Sequence, residues 1–345
     1  MRRRTFLVTT AALALTCRGR HPGVISVPRQ RGVAFDGYRG TPTPDDFAAM
    51  RALGATQVAL WPYGFMNAYT DPAVYRFENP DTDWSLTDAG LLETARLARD
   101  AGLAVIVLPT LEDFRDGHWR GEVRMADSAR WAAWFASYGE FVLHYADLAE
   151  RMHAVGFSVG TELRETVRRE TEWRRLIAEV RGRFSGWITY AGNWDDYANV
   201  PWWDVLDAIG VQAYFELGDP GPGSLPERVQ RLRAEWAPIA RDLARVSERW
   251  DRPVLFTEIG YKSHTASTAR PWRWEIEGDP DAELQAAAYE AAFATFWDLP
   301  WFAGFYWWKW HPVGAPVRDR RRNFTPQGKP AEEVMKQYYR KASGR

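Results

Sequence analysis

Eight short apolar runs, each separated from the next by a stretch long enough for a helix or a compact crossover, constrain this chain more than any other feature. They are Val33 to Tyr38, Thr56 to Tyr63, Ala104 to Thr110, Gly156 to Glu162, Trp187 to Trp194, Ile209 to Phe215, Pro253 to Glu258 and Phe302 to Trp308. Helical periodicity fills Asp45 to Leu53, Asp88 to Ala101, Ala129 to His153, Glu172 to Arg183, Pro226 to Trp250 and Ala282 to Trp297. Thr87 with Asp88 marks a helix start, and Gly54 and Gly102 mark helix ends. Strands alternating with helices imply a parallel sheet, because neighbouring parallel strands need a long crossover. Eight such units predict an α/β chain forming a single (β/α)8 TIM barrel. An open doubly wound sheet would carry a Gly-rich phosphate turn after an early strand, and Phe35-Asp-Gly-Tyr-Arg-Gly40 lacks that fingerprint. A length of 345 residues suits one such barrel.

The first 30 residues read as an export signal and tether, leaving residues 31 to 345 for the barrel. Met1-Arg-Arg-Arg is a charged start, and Phe6 to Thr16 is an apolar run too short to span a bilayer. Arg3-Arg4-Thr5-Phe6-Leu7 matches a twin-arginine pattern. Cys17 closes the run where a bacterial lipoprotein carries its lipidated cysteine, although Ala14-Leu15-Thr16 departs from the usual residues there. The expectation is an exported, periplasmic or extracellular monomer with no transmembrane segment in the mature chain and Cys17 as a candidate anchor. With one cysteine, no intrachain disulfide can form.

In a barrel of this kind the reacting groups stand at the C-terminal ends of the strands. Two runs end on a glutamate: the fourth closes Phe157-Ser-Val-Gly-Thr-Glu162 and the seventh Val254-Leu-Phe-Thr-Glu258. Alternation puts Glu162 on the face of Ser158 and Gly160, and Glu258 on that of Val254 and Phe256, so both carboxylates are expected to enter the mouth. Glycoside cleavage needs such a pair, one acid to protonate the leaving oxygen and one carboxylate to attack or to activate water. The plainer alternative is a carboxylate paired with a nearby cation such as Arg164.

The remaining strand ends supply candidate sugar contacts: Asp36, Trp61, Tyr63, Asn193, Trp194, Tyr214, Trp307, Trp308 and Lys309. Aromatic residues make up 14% of the chain and include 19 Trp, a surplus that suits stacking on sugar faces. Alternation requires at least one of Trp307 and Trp308 to face the helices. Tyr214, one strand before Glu258, is expected to donate a hydrogen bond that keeps that carboxylate ionised. The 44 basic and 45 acidic residues leave a formal charge of -1, which offers nucleic acid no attractive field and fits a neutral partner. The six histidines show no metal-ligand spacing such as H-E-x-x-H, His118, His144 and His153 lying in separate contexts, and no G-x-S-x-G elbow appears. Neither a metal nor another cofactor is expected.

Gly160-Thr-Glu162-Leu, Tyr190 to Asp195, Gln212-Ala-Tyr214-Phe, Thr257-Glu258-Ile-Gly-Tyr261 and Trp307-Trp-Lys-Trp310, taken in order, resemble glycoside hydrolase family 113 of clan A. The resemblance spans roughly Arg31 to Pro312. It implies a retaining, metal-free hydrolase of β-linked polysaccharide or oligosaccharide whose best-known activity is endo-β-1,4-mannanase. By the same resemblance Glu162 is the acid/base and Glu258 the nucleophile. Thr161 stands where much of clan A has an asparagine that binds the sugar 2-hydroxyl. An exo-acting β-mannosidase or β-glucosidase, a β-glucanase, and a non-catalytic carbohydrate-binding barrel are the competing readings.

Overall fold

The computed structural model describes residues 26–37, 40–76, 83–112, 117–275 and 278–341; the expected export signal, Cys17 and Tyr38 lie outside them. Eight parallel strands close into a barrel: β1 (Gln30–Phe35), β2 (Gln57–Leu60), β3 (Ala104–Val107), β4 (Gly156–Thr161), β5 (Trp187–Asn193), β6 (Ile209–Gln212), β7 (Val254–Ile259) and β8 (Phe302–Trp310). β1 pairs with both β2 and β8, which closes the sheet. Seven α-helices appear among the described residues: α1 (Pro44–Leu53), α2 (Asp88–Asp100), α3 (Ser128–Arg151), α4 (Glu170–Arg181), α5 (Leu225–Trp250), α6 (Ala282–Phe296) and α7 (Pro330–Lys341). None is long and apolar enough to cross a membrane.

The caps are chemical as well as positional. The Gly90 amide donates to the Thr87 hydroxyl at 3.2 Å at the start of α2, and Asp127 and Asp281 cap α3 and α6 in the same way. Gly54, at φ 99°, ends α1 in the left-handed conformation that a side chain would oppose.

Two elements differ from the sequence reading. The second and third runs each break at a proline, Pro62 and Pro109, and resume outside the barrel. There Tyr63–Phe65 pairs antiparallel with Tyr75–Arg76 and parallel with Thr110–Leu111, forming a small sheet above β2 and β3. The structure adds a final helix, α7, in which Ala331, Val334 and Met335 show helical spacing; it packs against α1 and α6, and the Tyr339 hydroxyl donates to the Gly32 carbonyl at 2.9 Å.

Between β5 and β6 the described chain has no α-helix, only two 3-10 turns at Tyr197–Asn199 and Trp203–Val205. Trp202 and Trp203 fill that space. Trp202 stacks on Trp173 of α4 at 4.9 Å and donates to the Val167 carbonyl, while Trp203 donates to the Tyr197 carbonyl. The buried Asp207 pins the crossover, accepting from the Ile188 amide at 2.7 Å and pairing with Arg181 at 2.6 Å.

Alternation along the strands sorts the core into two layers. Val33, Val58 and Val105 face the helices, whereas Ala34, Ala59 and Ile106 face the interior with Trp187 and Tyr306. The two large interior rings lie over glycines directly paired with them on the next strand: Trp187 over Gly156 and Tyr306 over Gly32. A Cβ on Gly156 would meet the Trp187 ring at 2.2 Å. Gly156→Ala should therefore overpack the interior and destabilise the fold by about 1–3 kcal/mol, read as a lower urea midpoint; an unchanged midpoint would mean the indole moves freely.

Candidate active site

Glu162 directly follows β4 and sits in the left-handed region at φ 55°, a conformation unfavourable for a side-chain-bearing residue and frequent where function dictates geometry. Its amide donates to the Ala191 carbonyl at 2.8 Å, tying it to β5. The Glu162 side chain is buried, and its Oε2 accepts from Trp119 Nε1 at 3.2 Å and from Arg120 Nη1 at 2.8 Å. The neighbour in sequence, Arg164, goes elsewhere: it pairs with Glu165 and Asp195 and lies over the Trp119 ring. Glu162's cation is therefore a residue 42 positions away, on a 3-10 turn reached through the small outer sheet.

Glu258 lies in β7 and is held at both oxygens. Oε1 accepts from the Tyr214 hydroxyl in a short contact, and Oε2 from Gln212 Nε2 at 2.9 Å. The Thr257 hydroxyl donates to Gln212 Oε1 at 2.9 Å, which turns the amide nitrogen toward the carboxylate. The β6–β7 register shifts here, bringing Gln212 opposite Glu258, and the Ala213 amide donates to the Glu258 carbonyl at 2.7 Å.

Burial, and secondarily the negative charge of Glu162, raise the Glu258 carboxyl to about 7. The Tyr214 and Gln212 hydrogen bonds oppose that rise, as does the charge of Arg120. Tyr214 thus makes the expected contact, but burial outweighs it, and Glu258 is more readily protonated than a solvated carboxylate. Tyr214 itself stays a phenol, because burial first and the Glu258 charge second hold its ionisation well above the ordinary value.

A second charged group stands beside β7, at the ends of β1 and β8. Asp36 pairs closely with Lys309 and lies 3.3 Å from His311 Nδ1. Burial chiefly lowers His311 to about 4, so the imidazole is neutral at pH 7 and the rim's ion pair is Asp36 with Lys309. Lys309 Nζ sits 5.0 Å from the Trp308 ring and 5.5 Å from that of Trp274. Trp308 meets Trp61 edge-on at 5.3 Å, and the Trp308–Lys309 peptide is cis. Burial raises the Tyr63 phenol well above its ordinary value, helped by the charges of Glu112, Asp36 and Glu258 and opposed by that of Arg120.

The remaining candidates divide. Asn193, at the end of β5, donates to Asp195 at 2.6 Å, and the partly buried Trp194 meets Phe215 edge-on at 6.0 Å. Trp307 does not line the mouth: it is fully buried on the helix side of β8, stacked on Tyr289 of α6 at 3.8 Å. Trp119, Arg120 and Gln212 belong to the site but were not among the sequence candidates. Gln212 stands two residues before Tyr214 at the end of the sixth apolar run, while Trp119 and Arg120 sit on a loop whose path a strand pattern does not reveal.

An eight-stranded parallel barrel with two buried, mutually interacting carboxylates in its mouth and aromatic residues on its rim defines a glycoside hydrolase. The profile of Glycoside Hydrolase Family 113 matches residues 33–329, and the chain belongs to that family. A family 113 β-mannanase from Alicyclobacillus acidocaldarius, solved in complex with ManMIm, is 32% identical with a TM-score of 0.77, covering 91% of this chain and 98% of its own. A second family 113 β-1,4-mannanase is 28% identical with a TM-score of 0.75, covering 91% and 99% respectively. A family 5 mannosidase from Rhizomucor miehei shares the fold at 10% identity and a TM-score of 0.62, covering 91% and 93%. No curated protein sequence matches the chain.

The placement of Trp307 carries a stability consequence. Trp307→Ala removes a ring packed against Tyr289, Phe293 and Phe305 and should cost about 3–5 kcal/mol in chemical denaturation. A loss confined to substrate binding, with stability intact, would return Trp307 to the mouth.

Proposed function

We propose that this enzyme is a retaining endo-β-1,4-mannanase in which Glu162 is the acid/base and Glu258 the nucleophile. The observation that carries the reading is the contrast between the two carboxylates. Glu258 is tethered at both oxygens by neutral donors, as an attacking group needs to be. Among the described residues, Glu162 is tethered at Oε2 alone, and its other oxygen can exchange a proton. The β-mannanases that resemble this chain over nearly its whole length support the substrate class.

In the first step a Glu258 oxygen attacks the anomeric carbon while Glu162 gives its proton to the departing glycosidic oxygen. The products are a covalent glycosyl-enzyme and a free sugar hydroxyl. In the second step Glu162, now ionised, takes a proton from water as the water oxygen attacks the same carbon and the bond to Glu258 breaks. Two inversions retain the β configuration. Asp36, Trp61, Tyr63, Trp308 and Lys309 would bind and orient the chain on one side of this centre, with Asn193 and Trp194 at the end of β5. Export, and lipidation at Cys17, are proposals that rest on the sequence of residues 1–30 alone.

Digestion of mannan, glucomannan and β-glucan oligosaccharides tests the substrate: internal cleavage of mannan is expected. Release of single sugars from chain ends would favour the exo-acting reading. Azide tests the roles. Glu162→Ala, given an activated aryl glycoside, should still form the glycosyl-enzyme, and azide should intercept it as the β-azide. Glu258→Ala leaves azide to attack the substrate directly and should yield the α-azide. Reversed anomers would reverse the assignment.

The pH profile provides an independent check. Glu258 attacks only when ionised, so kcat/KM should fall as pH drops through about 7. Tyr214→Phe removes a donor that favours the charged form, so this acid limb should move to higher pH, with less rate at neutrality and little change in KM. A profile superimposable on that of the unmodified enzyme would deny Tyr214 this function.

A further inference from the structure

Trp119 and Arg120 converge on a single atom. Both donate to Glu162 Oε2, at 3.2 and 2.8 Å, and Arg120 is itself anchored because its Nε donates closely to the Leu111 carbonyl of the small outer sheet. The Arg164 guanidinium covers the Trp119 ring at 5.2 Å, and the Arg120 and Glu162 side chains are only 16% and 11% exposed. A guanidinium keeps all its protons at any working pH, and an indole N–H is a donor only. An oxygen facing both has no room for a proton of its own.

We propose that Arg120, assisted by Trp119, is a positioning residue that reserves Glu162 Oε1 as the atom that gives the proton to the leaving oxygen and later takes one from water. The proposal rests on the reading of Glu162 as acid/base. In the first step the Oε1–H bond breaks, the glycosidic oxygen gains that proton, and the electron pair left on Oε1 gives a carboxylate whose charge Arg120 meets across Oε2. In the second step the water proton returns to Oε1. Without Arg120 the carboxyl can turn about its last bond, and its proton can settle on either oxygen, away from the line of transfer. The charge of Arg120 also reaches Glu258, which it favours as the anion.

A role in proton transfer differs measurably from a role in folding, because only the former depends on how much help the leaving group needs. The test is kcat/KM for aryl glycosides of the sugar that the unmodified enzyme turns over, with phenols of graded acidity, in Arg120→Gln, Arg120→Lys, Trp119→Phe and Glu162→Ala. Circular dichroism and thermal melting identify the variants that fold. Arg120→Gln should lose about tenfold or more with weakly acidic phenols, part of the roughly 10²–10⁴-fold that general acid catalysis supplies, and far less with dinitrophenol. Arg120→Lys should recover part of that loss, and Trp119→Phe should show a smaller loss of the same kind. Equal losses for every phenol in the folded Arg120 and Trp119 variants, while Glu162→Ala shows the steep dependence, would overturn the proposal and leave Glu162 as the acid. A shallow dependence in Glu162→Ala would overturn the acid/base reading itself.

Discussion

Burial and the nearby charge of Glu162 make ionisation of Glu258 costly in the mouth that the two carboxylates share. The groups around Glu162 and Glu258 answer that cost in two different ways. Glu258 receives neutral donors, Tyr214 and Gln212, which favour its charge without cancelling it and fix both of its oxygens. Glu162 receives a full cation, Arg120, together with an indole donor. The asymmetry fixes both oxygens of Glu258 but only Oε2 of Glu162; under the proposed mechanism a proton is exchanged at the other Glu162 oxygen, and Arg120 meets the charge left when that proton departs.

Such an arrangement holds only on a rigid frame. β6 and β7 shift register where Gln212 meets Glu258, so the orienting amide comes from the adjacent strand and is itself held by the Thr257 hydroxyl. Lower in the barrel, rings lying over glycines on neighbouring strands fill the interior, and this packing resists movement of β4, which leads into Glu162, against β5, and of β1 against β8. The left-handed backbone of Glu162 persists because its amide is tied to β5 through Ala191. Local strain at the site is therefore carried by bonds between strands.

The barrel was legible because its signal is repeated: eight apolar runs in series survive errors of a few residues at their ends. The carboxylates were legible because Glu162 and Glu258 each close such a run. Trp307 and Trp308 illustrate the limit. Alternation required one of the pair to face the helices, but only the contact with Tyr289 identifies Trp307 as that one. Arg120 illustrates a deeper limit, since no local pattern links it to Glu162. Its approach depends on how Pro62 and Pro109 turn two strands out of the barrel into the small sheet from which the 3-10 turn hangs. Helix α7 was readable from its spacing. The crossover between β5 and β6 was not, because it replaces a helix with buried tryptophans and arginine contacts that have no period.

The same geometry bears on how a mannoside would be distinguished from a glucoside, which differ only in the orientation of the 2-hydroxyl. Thr161 stands where an asparagine would reach that hydroxyl in much of clan A, but its own hydroxyl donates to the Pro109 carbonyl at 3.3 Å, toward β3. That contact engages its single donor. The polar groups beside Glu258, the Tyr214 phenol and the Gln212 amide, are candidates to replace it, and both already bind that carboxylate. A contact made by either group to the 2-hydroxyl would draw on the same donors that hold Glu258. Recognition of the sugar and ionisation of Glu258 would then be coupled through Tyr214 and Gln212, with a substrate whose 2-hydroxyl reached them shifting the charge balance that the free enzyme sets by burial.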